Sequence, residues 1–390
     1  MKITTTILVS CVAVLLGLGL VMLYSSSMNM EVNRAAVGAH YLILQLVWCV
    51  LGLIGGTIAA YNDYRKLKKI APWLLGVAAF LLLLVFVPKI GVGMEGAHKG
   101  INGAHRWIGF GKIRYQPSEF AKLALIIFLA AYGDRFQRQM SSWKQGLVVP
   151  GIVIAGILGL IFIEPDRGCT ILLAAVSLAI LIIAGVKLRY IFVPGLLALA
   201  GLGVSIMHDP MRLKRIFAWL HLEESKDGVG YQTYQGIIAL GAGGWRGLGL
   251  GNGRQKLGFI PEHHTDFILP VIGEELGLIV TLTVVILFVV FVWCGTRIAK
   301  WSGDTFGMLL GSGLTFMVGI QAFVNVGVVT GTLPNKGMPL PFISYGGSNL
   351  MLMLVAVGLL LSISRFAVEP VKQAKSKNPF EIPTTELNDA

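Results

Sequence analysis

Charge is what this 390-residue chain has least of. Asp, Glu, Lys and Arg make up 13% of it, against about 25% in a soluble globular domain, while 55% is hydrophobic and the mean hydropathy is +0.74. That deficit excludes a soluble enzyme of this length. Cysteine is nearly missing. Cys11, Cys49, Cys169 and Cys294 are dispersed with no CxxC, which excludes a disulfide framework and leaves them as packing residues. Acids are the scarcer sign, 20 against 32 Lys and Arg, for a net charge of +12. No Lys/Arg-rich run with interleaved aromatics goes with that excess, so a nucleic-acid partner is not expected. Membrane topology and an anionic lipid surface account for it. The chain also lacks an internal repeat, a low-complexity tract and any stretch that reads as a soluble catalytic domain.

What is there is a series of ten apolar windows, about 5–24, 41–60, 72–88, 118–133, 148–163, 169–185, 190–207, 266–295, 304–330 and 346–366. Crossing the hydrocarbon core takes roughly 20 helical residues, and the eighth and ninth windows exceed a minimal span, which predicts tilt or a break. Lys2 followed by Ile7 to Leu23 resembles a secretory leader, but the exit Tyr24-Ser25-Ser26-Ser27 offers no small-x-small cleavage site, so an uncleaved first helix is expected. Arg65, Lys66, Lys68, Lys69, Arg135, Arg138, Lys144, Lys187, Arg189, Arg297 and Lys300 occupy one set of short connections. The alternate set carries only Arg34, Arg167 and Lys336. The positive-inside rule then predicts cytoplasmic termini and two long outer connections, about 89–117 and 208–265. The expected architecture is an all-α polytopic membrane domain over 1–366, with about ten transmembrane helices and its large extracytoplasmic loop between the seventh and eighth. The polar residues 367–390 read as a disordered cytoplasmic tail.

Ionisable groups gather at the predicted outer face. From Tyr231 to Gly277 a glycine-rich, basic, aromatic segment ends in Glu262, His263, His264 and Asp266, then enters an apolar window carrying Glu274 and Glu275. An unpaired carboxylate inside a span costs about 2.5–3.5 kcal/mol, so these acids are paired, wet or functional. Asp266 stands where the eighth helix should start, as a cap or as a working carboxylate, and Thr265 would cap equally well. Adjacent histidines without His-x-x-x-His spacing argue against a zinc site, while a transient divalent cation on carboxylates and a phosphate stays open. Successive helical residues point about 100° apart, so only one of Glu274 and Glu275 is expected to face an interior cavity, and Glu274 lies nearer the Asp266 face.

Elsewhere, Gln116-Pro117-Ser118-Glu119-Phe120-Ala121-Lys122 puts a proline at a first helical position, with Glu119 and Lys122 spaced to pair on one face. Asn102-Gly103-Ala104-His105-Arg106-Trp107 supplies a cation and an indole, and Glu164-Pro165-Asp166-Arg167-Gly168 makes a tight outer turn with a local salt bridge or a further cation near the mouth. The proline- and glycine-punctuated segment from Gly331 to Ser348, with Lys336, Ser344, Tyr345 and Ser348, predicts a cavity wall, because irregular backbone survives near a membrane only where protein buries it or water lines it.

Together, YQTYQGIIALGAGGWRGLGLGNGRQKLGFIPEHHTDF, NGAHRWIGFG, QPSEFAK, EPDRG and LPNKGMPLPFISYGGS resemble the SEDS family (shape, elongation, division and sporulation), its cell-division member more than its elongation member. The resemblance runs from the first span to about Phe366. It implies a peptidoglycan glycosyltransferase polymerising lipid II on the outer face of the bacterial cytoplasmic membrane. Its essential acid would be Asp266, with Lys336 a further functional position. Arg106, Glu119 and Lys122 match motif positions, and His264, Glu274 and Ser344 join them as substrate-binding candidates. The implied partners are lipid II with the growing lipid-linked glycan, a single-span class B penicillin-binding transpeptidase (FtsI-like) and other division proteins. The implied cofactor is at most Mg²⁺ or Mn²⁺. Gly236 and Gly258 depart from the family pattern, which has Ser and an acid there in some members. A lipid II transporter built on the intramembrane acids, or a non-catalytic division scaffold, are the competing readings.

Overall fold

The computed structural model describes residues 1–27, 35–87, 106–110, 113–260 and 263–367. Glu262, most of the first outer connection and the polar tail therefore lie outside the described residues.

Each of the ten apolar windows is a helix. In chain order these are α1 (Lys2–Ser27), α2 (Ala35–Tyr61), α3 (Leu67–Leu84), α4 (Pro117–Arg135), α5 (Val149–Ile163), α6 (Arg167–Ile183), α7 (Leu188–Met207), α10 (Ile268–Lys300), α11 (Thr305–Val329) and α12 (Gly347–Arg365). Among the described residues, seven helices are long and apolar enough to cross a membrane. α4 falls outside that set because it carries Glu119, Lys122, Asp134 and Arg135. Two shorter helices, α8 (Pro210–Leu220) and α9 (Tyr231–Ala242), occupy the large connection. One feature departs from the all-α expectation: β1 (Ile108–Phe110) and β2 (Ile113–Tyr115) form an antiparallel hairpin with Ile108 opposite Tyr115. The β-branched and aromatic residues of IGF and IRY suit paired strands, a signal too short to stand out beside the neighbouring apolar windows.

α4 and α12 are buried along almost their whole length and form the centre. α4 packs against α3, α6 and α11, and α12 against α2; α10 lies between α11 and α1, with α9 on its other flank. A largely apolar helix belongs inside, and that setting shelters Glu119 and Lys122, two of the four charges of α4, from lipid. α2 and α12 cross closely enough that a Cβ on Gly358 would meet the carbonyl of Gly56.

The helix ends sort into two sets. At one end Arg65 joins Asp304 at 2.8 Å, Lys68 pairs with Asp134, and Arg365 donates to the carbonyls of Ala60 and Tyr61. At the other, the starts of α4, α6, α10 and α12 meet the irregular segments 243–260, 263–266 and 331–346. The motifs singled out above gather at this second end.

α10 is not one straight helix. Gly277 has φ 82° and ψ 178°, and a Cβ there would sit 2.5 Å from the carbonyl oxygen of Trp245 and the amide of Gly247. Only glycine adopts that conformation without strain. The break predicted for an over-long window falls two residues after Glu275.

Candidate active site at the broken helix

The break opens space for a glycine-rich loop. Leu248 and Gly249 donate their amides to the carbonyls of Glu274 and Glu275, and Leu278 donates to Gly244, so residues 244–249 wrap the exposed backbone of the break. The two side chains hold the rest of the loop. Glu274 accepts the amides of Arg254 at 2.8 Å and Gln255 at 3.2 Å. Glu275 pairs with Lys256 at 2.7 Å and accepts from Ser25 at 2.6 Å and from the amide of Gly251 at 3.0 Å. Lys256 also donates to the carbonyl of Ser25, at the end of α1. Only one of the two carboxylates was expected to face an interior cavity; both are buried. Both are at most 1% exposed, because the loop folds over the broken turn and meets both directions at once. Glu274, expected to bind substrate, is occupied by backbone amides, and the pair anchors the loop that delivers Asp266.

Asp266 itself does not cap α10. The cap is Phe267, with no side-chain hydrogen bond, and α10 begins at Ile268. The carboxylate instead accepts the hydroxyl of Thr265 at 3.0 Å and lies against Gly337, where a Cβ would be 3.0 Å from Oδ2. Asn325 of α11 clamps this approach, donating through Nδ2 to the carbonyls of Asp266 at 2.8 Å and Met338 at 2.7 Å. The structure therefore brings Asp266 and the Lys336 segment together. Burial, then the positive charge of Arg167, holds the Lys336 ammonium below the usual lysine range.

Segment 331–346 is fixed from several sides. Trp219 of α8 donates to the carbonyl of Gly331, Gln321 of α11 to that of Pro339, and Gln45 of α2 to that of Ser344. The Ser344 hydroxyl accepts the amide of Leu340 at 2.7 Å and is 4% exposed as a residue, so it shapes the turn. His264 accepts the Tyr345 amide through its carbonyl, and its ring packs 5.1 Å from Tyr41 and 6.0 Å from Tyr345. Burial, with His263 beside it, pulls the imidazole pKa down to about 4, so His264 is neutral at physiological pH and offers a phosphate no positive charge.

Glu119 and Lys122 form the pair their spacing predicts, at 2.7 Å and nearly fully buried. Asn349 donates to Glu119, and Lys122 donates to Gln321, the residue that holds Pro339. This pair lies beneath the loop and supports it.

Arg106 leads into the hairpin and donates to the carbonyls of Glu164 at 3.2 Å and Pro165 at 2.6 Å. Below it the Glu164 side chain is fully buried, and neither carboxyl oxygen has a hydrogen-bond partner. Burial first, then the charge of Asp166, raises its pKa to about 8 against the opposing pull of Arg106. Glu164 is thus uncharged near neutrality and leaves the Arg106 charge uncancelled. Sequence reading gave EPDRG a turn with a local salt bridge or a further cation near the mouth and missed this acid, since nothing in a tight turn announces that its first carboxyl is sealed. It also missed Lys256, whose signal was a lone lysine in the segment preceding two membrane acids. Among the described residues no group of three or more His, Cys, Asp or Glu side chains could hold a metal ion.

Known proteins match this chain over almost its whole length. The family of cell cycle proteins that groups FtsW, RodA and SpoVE matches residues 5–369. A probable peptidoglycan glycosyltransferase FtsW from Trichlorobacter lovleyi is 41% identical over 358 residues, 92% of each chain. Stage V sporulation protein E of Bacillus subtilis is 38% identical over 93% of this chain and 97% of its own. Among solved structures, a chain of a peptidoglycan synthase complex that coordinates polymerization and crosslinking superposes with a TM-score of 0.74 at 29% identity, covering 92% of this chain and 96% of that one. RodA of Thermus thermophilus gives 0.65 at 27% identity, covering 93% and 97%. Matched by the family over residues 5–369 and by relatives about 40% identical over nine-tenths of its length, the chain belongs to the FtsW/RodA/SpoVE family of polytopic membrane proteins.

Proposed function

We propose that this chain is a peptidoglycan glycosyltransferase that polymerises lipid II during cell division, with Asp266 as its general base. The observation that carries the reading is a carboxylate held against Gly337, one residue from Lys336, just ahead of the Phe267 N-cap of α10. Forming a β-1,4 bond from an α-linked diphosphate donor inverts the anomeric carbon. The acceptor 4-hydroxyl loses its proton as its oxygen attacks one face, and the diphosphate leaves from the other with the bonding electron pair. A carboxylate within about 2.6–3.2 Å of that hydroxyl takes the proton. Positive groups near the departing oxygen stabilise the charge that develops there. Lys336, next to the Gly337 that touches Asp266, is one candidate, and Arg106, whose neighbour Glu164 is neutral, is another.

An Mg²⁺ or Mn²⁺ ion would take most of its ligands from substrate phosphates, with Asp266 as a carboxylate against this loop; Mg²⁺ commonly needs no more from the protein than one or two carboxylates. Glu119, Lys122, His264, Glu274 and Ser344 act in this reading by fixing the loops around the substrate. The chain would lie in the bacterial cytoplasmic membrane at the septum, crossing it ten times with both termini cytoplasmic. It would pair there with a class B penicillin-binding transpeptidase, as the match to a complex that couples polymerization to crosslinking supports.

The test is glycan-chain formation from purified lipid II by the chain co-purified with its cognate transpeptidase, the latter with a blocked active site. Polymer from the wild type and none from a folded, complexed Asp266→Asn variant is the expected result. Polymer from both removes Asp266 as the base. None from either, with the complex intact, moves the assignment to transport or scaffolding.

A further inference from the structure

One cluster at the outer end has more positive charge than the fold uses. Arg167, the first residue of α6, lays its guanidinium 3.8 Å from the ring centroid of Phe162 and donates through Nη1 to the Ser205 hydroxyl at 2.8 Å. Its Nε is buried with no acceptor. Arg212 of α8 donates to the same hydroxyl at 2.9 Å and to the Ser205 carbonyl at 3.0 Å. Two guanidinium groups thus converge on one neutral oxygen. One acid serves both: Asp209 pairs with Arg212 at 2.8 Å and its charge also reaches Arg167. The carboxylate beside Arg167 in sequence is engaged elsewhere, since Asp166 accepts the amide of Cys169 and the side chain of Gln116.

Lys336 adds a third cation, half-buried and close enough to feel the charge of Arg167. Among the described residues neither its ammonium nor the Arg167 guanidinium has an ion-pair partner. Like charges held together out of water raise the energy of the folded chain unless an anion joins them. Guanidinium and ammonium groups together suit phosphate oxygens, the first as a fork of donors and the second as a point charge.

We infer that Arg167 and Lys336, with Arg212 braced behind, form the binding site for the diphosphate of a polyprenyl-linked sugar donor. The inference rests on the glycosyltransferase reading for its choice of ligand and adds residues from α6 and α8 to the site. Its placement fits an inverting transfer. A Cβ on Gly168, next to Arg167, would be 3.0 Å from the Met338 side chain, while Gly337 touches Asp266. Residues 336–338 therefore run between the Arg167 turn and the base, with Lys336 at the junction. Arg106 lies on the other side of the α5–α6 turn, where it donates to the carbonyls of Glu164 and Pro165.

The test is equilibrium binding to the full chain in nanodiscs of zwitterionic lipid, with three probes: undecaprenyl diphosphate, uncharged undecaprenol and inorganic pyrophosphate. The wild type is expected to hold undecaprenyl diphosphate at least tenfold more tightly than undecaprenol. Inorganic pyrophosphate should compete for that site more weakly than the lipid-linked form. Arg167→Gln combined with Lys336→Gln should remove most of the preference at an unchanged melting temperature, while Arg167→Lys should retain part of it. A double variant that folds and keeps the full preference overturns the assignment. So does a wild type that binds both lipids equally. Should Arg167→Gln fail to fold, Lys336→Gln alone decides, and an unchanged preference in that variant also overturns it. Binding needs no turnover, so a chain that keeps the preference but makes no polymer supports the anion site while counting against the glycosyltransferase.

Discussion

Replacing Glu164 by glutamine should make the protein more resistant to unfolding as the pH rises. In the native chain the carboxyl is fully buried with both oxygens unpartnered, and its pKa moves from the ordinary value near 4.5 to about 8. The folded state therefore keeps a proton that the unfolded state releases across that interval. Stability linked to this group is fully present below about pH 4.5 and is lost as the pH climbs through about 8. At 1.36 kcal/mol per unit the loss amounts to roughly 3 kcal/mol at pH 7 and roughly 5 kcal/mol above pH 8. Glutamine has the same shape and no charge to lose, so Glu164→Gln should lack this slope.

The measurement is thermal unfolding of wild type and variant by tryptophan fluorescence, between pH 5 and pH 8.5 in one detergent. The quantity to read is the difference between the two curves. His264 imposes an opposite trend on both: its folded pKa near 4 means that its contribution is present above about 6.5 and lost as the pH falls through 4. Taking the difference cancels that trend, and any pH-independent cost of placing an amide in the cavity appears only as an offset. Melting curves that stay parallel across the range would refute a buried neutral Glu164, and with it the claim that Arg106 keeps an uncancelled charge.

The other predictions concern the supports of the loops. Lys256→Met should cost about 3–5 kcal/mol, because it leaves Glu275 buried without its ion-pair partner; thermal unfolding should show the loss, with polymerisation falling alongside it. Gly277→Ala must strain a position at φ 82° whose Cβ would meet the backbone of residues 245–247. The strain alone costs about 1–3 kcal/mol, and proteolysis between residues 243 and 260 should report the released loop. Lys122→Met should destabilise by about 3–5 kcal/mol by stranding Glu119, and adding Glu119→Gln should restore much of the melting temperature, a coupling that two independent surface residues would not display.

Hydropathy alone made the helices legible, since ten runs of apolar residues have few alternatives in a membrane. The gathering of motifs at one end was legible too, because alternate connections share a side and the polar motifs all fell on the same set. The break at Gly277 was only half visible. A glycine inside a long apolar window reads as a tolerated helix residue, and its positive φ depends on a loop about thirty residues earlier. The contacts of Glu274 and Glu275 were hidden for the same reason: an undisturbed helix offers neighbours two directions, whereas the amides and the lysine that meet this pair come from one loop folded over a broken turn. Ser344 looked like a free hydroxyl and is consumed by the Leu340 amide, a contact between residues four apart that becomes evident only once the turn is formed.

The same facts explain how irregular backbone persists at this end of a membrane protein. Exposed amides in lipid are costly, so a loop must find acceptors or leave. Here the acceptors are two carboxylates and two carbonyls of the broken turn, and each carboxylate accepts amides while one of them also neutralises Lys256. The acids that first look like substrate groups are thus what allow a glycine-rich loop to be rigid. Rigidity matters because a base works only within hydrogen-bond reach of the proton it removes. Asp266 sits six residues beyond Ile260, the last described residue of that loop, and is held from the other side by Asn325 through its own carbonyl. Its carboxylate is therefore positioned by backbone contacts on the short segment that carries it and by the Thr265 hydroxyl beside it, the kind of fixed placement that proton transfer from a substrate hydroxyl requires.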